Sequence, residues 1–133
     1  RRAARELEPL TLVMFDLDNF NACNDTHGHQ TGDGLLASVG GLVSRCIRDH
    51  MDAGFRIGGD EFAILLPGSD VEVGTRIAER LRSHFARNEV FGTTLSIGVA
   101  QWKPGLTPRQ FIEAADQMLY QAKARGKNTV AVA

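Results

Sequence analysis

The sequence predicts an α/β (α+β) domain, a mixed central sheet flanked by helices in a ferredoxin-like, palm-like order. Three observations predict it. Residues 55–66 read as a tight hairpin: Phe55 and Ile57 lie on the incoming strand, Phe62, Ile64 and Leu66 on the outgoing one, with Gly58-Gly59-Asp60-Glu61 between them. Residues 10–15 form a short apolar run that suits a strand buried on both faces. Further segments place apolar residues at helical spacing. A hairpin flanked by strand–helix units gives the order β-α-α-β-β-α-β-α-β.

Taken in order, residues 1–9 are polar, Arg-rich and end at Pro9, as the end of a linker or of an N-terminal helix would. The domain proper is expected over 10–133. After the first strand the chain turns acidic at Asp16-Leu17-Asp18, and residues 20–24 allow one or two helical turns. A polar connection, 25–33, leads into a helix over 33–48 carrying Leu35, Leu36, Val39, Leu42, Val43, Cys46 and Ile47. Gly40-Gly41 in its middle costs roughly 2 kcal/mol relative to two alanines, which close packing against a sheet would explain. Beyond the hairpin, 67–70 is a turn, and Val73, Ile77, Leu81 and Phe85 step at fours, with Arg76, Arg80 and Arg82 on the solvated side. Residues 93–101 alternate as a strand does. Thr107 can cap a final helix that has Pro108 in its first turn and Phe111, Ala115, Met118, Leu119 and Ala122 on one face. That helix ends near Arg125-Gly126, and 129–132 reads as a closing edge strand.

At 133 residues the chain is one domain with room for a core. Its 15 basic and 16 acidic residues leave a formal charge of −1, which argues against bulk binding to nucleic acid or to an anionic membrane. Cys23 and Cys46 lack ligand spacing and are expected reduced. No stretch reaches the roughly 20 apolar residues of a membrane span, and no signal peptide is visible, so a cytoplasmic location is expected.

Two adjacent carboxylates, Asp60 and Glu61, repel each other unless a cation or a proton relieves them. With the first strand beside the hairpin, Asp16 and Asp60 could hold one or two hard cations such as Mg²⁺, leaving positions open for the phosphates of a nucleoside triphosphate. Lys123 and Lys127, four residues apart, could contact those phosphates, as could backbone N–H groups around Asn19, Phe20 and Asn21. Asn24 and Asp33 offer the amide and carboxylate that a guanine edge would require. Each feature also has a plain reading as surface lysine, cap or turn. His27 and His29 with Asp25 and Asp33 lack transition-metal spacing; stacking or backbone anchoring suits them better.

Together these residues resemble the GGDEF family, the diguanylate cyclase catalytic domain. Arg56-Ile57-Gly58-Gly59-Asp60-Glu61-Phe62 is similar to its signature, with Gly58 and Gly59 forming the turn. Asp16-Leu17-Asp18-Asn19-Phe20, Asn24-Asp25-Thr26-His27-Gly28-His29 and Gly32-Asp33 resemble its first block, Ser96-Ile97-Gly98-Val99-Ala100 a later one. Ala115-Asp116, Leu119-Tyr120, Ala122-Lys123 and Gly126-Lys127-Asn128 resemble the last. The resemblance implies condensation of two GTP into cyclic di-GMP with release of two pyrophosphates. It implies Mg²⁺, or Mn²⁺ in its place, two ions per GTP-loaded site, held by Asp16, the Leu17 carbonyl, Asp60 and Glu61. Glu61 and Asp60 would be catalytic, Glu61 helping to deprotonate the attacking 3′-hydroxyl. Asn24 and Asp33 would read guanine, and Asn19, Phe20, Asn21, Lys123 and Lys127 would bind phosphate. One domain holds one GTP, so a homodimer is implied, under an upstream sensory or regulatory domain that could anchor the parent protein to a membrane.

Three departures accompany the likeness. Asn21 stands where the family usually has a lysine. The inhibitory product site, Arg-x-x-Asp, has its aspartate at Asp52 but Asp49 in the arginine position, with Arg48 one residue further away, so that site is expected absent or degenerate. The family's usual upstream helix and Asp-x-Leu-Thr motif do not precede residue 10, which suggests an N-terminally trimmed domain. Two rival readings remain: a catalytically silent GTP-binding regulatory domain, and a palm-like cyclase or polymerase with another substrate.

Overall fold

A computed structural model describes residues 8–88 and 91–133. Five strands, β1 (Leu10–Asp18), β2 (Ala53–Gly58), β3 (Glu61–Pro67), β4 (Thr94–Gln101) and β5 (Val130–Val132), form one sheet in the order β2-β3-β1-β4-β5. Only β4–β5 is parallel; the other pairs are antiparallel. Among the described residues four helices accompany the sheet: α1 (Phe20–His27), α2 (His29–Cys46), α3 (Val71–Asn88) and α4 (Pro108–Ala124). The expected element order and mixed sheet are therefore present. Residues 1–7, where most of the linker or helix was expected, lie outside the described residues.

Central β1 is buried along almost its whole length, and its alternation divides the molecule. Val13, Phe15 and Leu17 face the larger core, with Leu35, Leu36, Val39 and Leu42 of α2 and Ala78, Leu81 and Phe85 of α3. Phe15 and Phe62, register partners, stack with centroids 5.2 Å apart. Leu12 and Met14 face the other way, against Phe111, Ala115 and Leu119 of α4. Helix α4 starts on a capping box: Thr107 accepts from the Gln110 N–H while the Gln110 side chain accepts from Thr107 N–H.

Gly98 sets the height of α4 above the sheet. A Cβ there would lie 2.2 Å from the Leu119 nitrogen and 2.3 Å from the Ala115 carbonyl oxygen, so helix backbone rests on strand backbone.

Several local expectations need correction. The polar connection of 25–33 is nearly all helix: α1 runs to His27, α2 starts at His29, and Gly28 at φ 91° makes the break. The buried face of α3 is Gly74, Ala78, Leu81 and Phe85, rotated from the stepping-by-four set because Gly74 lies against Thr11 of β1. Gly40 and Gly41 are not squeezed by the sheet, since a Cβ on Gly40 meets nothing within 4 Å. The turn is Gly59-Asp60, with Gly59 at φ 51°; Gly58 is still in the strand, paired with Glu61 across a bulge. Strand β2 is exposed throughout, Phe55 and Ile57 each about half accessible. His27 meets Phe91 edge-on at 4.9 Å, the stacking role expected of it.

Candidate active site

The residues of β1 that face α4 run Leu12, Met14, Asp16, Asp18, from apolar to acidic. Cross-strand partners follow the same gradient: Leu65 and Ala100 flank Leu12, Ala63 and Gly98 flank Met14, and Glu61 and Ser96 flank Asp16. Register partners share a face, so Asp16 and Glu61 stand side by side on neighbouring strands. Lys123, one turn past Leu119 on α4, closes this corner, with Nζ 2.6 Å from Asp16 Oδ1 and 3.5 Å from Asp18 Oδ1.

Electrostatics follow from crowding. Burial pushes the Asp16 carboxyl above its ordinary 3.8; Lys123 offsets part of this, and Asp60 and Asp18 add to it. Burial also raises Glu61 above 4.5, reinforced by Asp116 of α4, Asp16 and Asp60. Lys123 is held above its ordinary value by Asp16 and Asp18, which outweigh the larger opposing effect of burial.

Asp16 Oδ1 is buried, and the Lys123 ammonium 2.6 Å away is its charge partner. An oxygen so placed suits a cation. Among the described residues no three acidic, histidine or cysteine side chains gather into a ready-made cage. The carboxylate oxygens gathered here are hard donors, the type that a divalent cation such as Mg²⁺ takes.

Other sequence-predicted residues fall into two further places. At the β1–α1 turn, Asn19 is left-handed (φ 62°), and Lys127 Nζ reaches its Oδ1 at 3.4 Å, so two phosphate candidates meet there. Asn21 is exposed on α1. A groove of about 420 Å³ runs between α2 and the hairpin, lined by Asp33, Leu36, Gly40, Val43, Arg56 and Phe62 among others. Asn24 is not on its wall: it packs over Gly32, where a Cβ would come within 1.8 Å of Asn24 Oδ1, and that oxygen is buried without a hydrogen-bond partner. Arg56 Nε donates to the Gly59 carbonyl at 2.7 Å and braces the turn beside Asp60.

Arg48 and Asp52 form a closed pair. The carboxylate accepts from Arg48 N, Nε and Nη2 at 2.8, 3.0 and 2.6 Å, and Nη2 also donates to the Pro67 carbonyl at 2.8 Å. Sequence reasoning gave no role to Asp18 or Asp116. The signal for Asp18 was available, because acids two apart on a strand share a face.

A palm-like sheet with carboxylates and lysines at one end defines the chain as a nucleotide cyclase fold. A family model described as diguanylate cyclase, GGDEF domain, matches residues 1–129, and the chain belongs to that family. It is 38% identical over 130 residues to diguanylate cyclase DgcS of Shewanella oneidensis, covering 96% of this chain and 43% of DgcS. It is 35% identical to the response regulator PleD of Caulobacter vibrioides, covering 98% of this chain and 30% of PleD. The chain thus spans less than half the length of these curated relatives. Among solved structures, the active GGEEF domain of a diguanylate cyclase from Vibrio cholerae superposes with a TM-score of 0.90 at 34% identity, covering 98% of this chain and 86% of that one. Among the described residues no helix is long and apolar enough to cross a membrane.

Proposed function

We propose that this domain condenses two GTP molecules into cyclic di-GMP. The observation that carries the reading is the corner where Glu61 and Asp16 stand paired under Lys123, at the end of the signature hairpin. Asp16, the Leu17 carbonyl, Asp60 and Glu61 would hold two Mg²⁺ (or Mn²⁺). Bound there, the metal would supply charge neutralisation at the triphosphate and a lower pKa for the attacking hydroxyl. Lys123 and Lys127, with the N–H groups around Asn19, Phe20 and Asn21, orient the phosphates. Asp33 on the groove wall, with Asn24 packed over the neighbouring Gly32, would read the guanine edge. Asp60 and Glu61 are catalytic, Glu61 taking the proton of the 3′-hydroxyl as its oxygen bonds to the α-phosphorus and the bond to pyrophosphate breaks. Two such transfers close the ring and release two pyrophosphates.

One domain offers one such corner, so each 3′-hydroxyl must come from the GTP of a second copy, in a homodimer. The relatives' greater length fits an upstream sensory domain that drives this pairing, in a cytoplasmic setting. Asp52, already saturated by Arg48, has no free edge for product, which supports an absent or degenerate inhibitory site.

The uncharged, exposed Asn21 favours a second reading, a domain that binds GTP and regulates attached modules without turnover. Mass spectrometry of products after incubation with GTP and Mg²⁺, across a protein-concentration series, tests both. Cyclic di-GMP rising with greater than first-order dependence on protein, and lost in Asp60→Ala, is the expected result. GTP binding without product at any concentration favours the second reading.

A further inference from the structure

Asp18 is among the most buried charged residues, 1% accessible, and no step above uses it. Its carboxylate is fully engaged. Oδ1 accepts from the Ser96 hydroxyl at 2.6 Å and faces Lys123 Nζ at 3.5 Å; Oδ2 accepts from the Thr94 hydroxyl at 2.6 Å and from the Asn128 N–H at 3.2 Å. The first partners fix the carboxylate to β4. The others belong to the end of α4 and the segment after it, which carry both lysines.

That segment needs holding. Gly126, Lys127 and Asn128 have φ of 114°, 67° and 50°, three successive positive-φ residues of which Lys127 carries a side chain that disfavours the region. Lys127 N–H returns to the Ala122 carbonyl at 3.1 Å, Arg82 Nη1 donates to Asn128 Oδ1 at 2.8 Å, and the backbone between is tied to the sheet by Asp18. A buried carboxyl group is retained only where its hydrogen bonds are complete, and here completing them fixes the strained turn.

We infer that Asp18 is a positioning residue for the triphosphate: it touches no substrate, but holds Lys123 from beneath and the Gly126–Lys127–Asn128 turn from the side, setting the spacing of the two phosphate-binding lysines. The inference rests on the proposed GTP site and adds a residue to it.

The test compares Asp18→Asn with the native chain in binding a non-hydrolysable GTP analogue with Mg²⁺ and in binding guanosine. Expected are a tenfold or greater loss for the analogue, guanosine affinity within twofold, faster hydrogen exchange at the Asn128 amide, and a KM that rises more than kcat falls. Asp18→Asn combined with Lys127→Ala should lose less than the product of the two single losses. Analogue affinity within twofold of native, or equal losses for analogue and guanosine, would overturn the inference. A native chain that fails to bind the analogue overturns the GTP reading itself, and this inference with it. Should Asp18→Asn not fold, Arg82→Gln frees the same turn from outside: an analogue-specific loss supports the inference, and unchanged analogue affinity overturns it.

Discussion

Lys123 Nζ lies 2.6 Å from Asp16 Oδ1, where a cation would otherwise be drawn. The lysine acts as the corner's own counter-ion, and a metal arriving without nucleotide must displace it. Lys123→Gln is therefore expected to tighten binding of Mn²⁺ alone by roughly 2–5-fold, the scale of one partly exposed ion pair, while weakening the GTP analogue. Calorimetric titration with metal alone, then with metal and analogue, checks both signs.

The raised carboxyls of Asp16 and Glu61 fix a pH dependence. The folded state binds more protons than the unfolded one between the ordinary values, 3.8 and 4.5, and the raised folded ones. Stability of the nucleotide-free domain from these groups therefore falls as pH rises through that window and stays lowered above it. Glu61→Gln should stabilise the empty domain at pH 7, with little effect at pH 4. It should reduce turnover by about 10²-fold or more. Urea unfolding at the two pH values and a product assay measure this.

Gly40 and Gly98 should respond oppositely to alanine. At Gly98 the added Cβ meets helix backbone on two sides, so α4 must shift, with a loss of about 1–3 kcal/mol and of activity beyond the unfolded fraction. At Gly40 it meets open space, and helix propensity favours alanine by roughly 1 kcal/mol. The same methyl enters the groove beside Asp33, so Gly40→Ala should raise thermal stability and weaken guanine-nucleotide affinity.

The closed Arg48–Asp52 pair is expected to leave turnover nearly insensitive to added cyclic di-GMP. An inhibition curve in the low micromolar range that Arg48→Ala abolishes would contradict this.

Element order, the hairpin and the Thr107 cap were legible because each has a local signature: spacing, glycine placement, or a Thr-Pro pair; the Gln110 half of the capping box went unread. The acids of the corner were legible as residue types, and the resemblance supplied their grouping. What stayed hidden depends on tertiary contact. Gly98 looks like any strand glycine until α4 is laid on it. Gly74 rotates the face of α3 only because Thr11 lies beneath. The bond from Asn128 N–H to Asp18 joins residues at opposite ends of the chain, and no local pattern could announce it.

The gradient along β1, from Leu12 and Met14 to Asp16 and Asp18, makes the reactive corner a continuation of the hydrophobic core on the most enclosed strand of the sheet. Such a corner cannot loosen by itself: it melts when the domain melts. On the proposed reading, a signal that switched the chemistry on or off would find little slack inside one copy, and would act instead on how often, and at what angle, two copies meet.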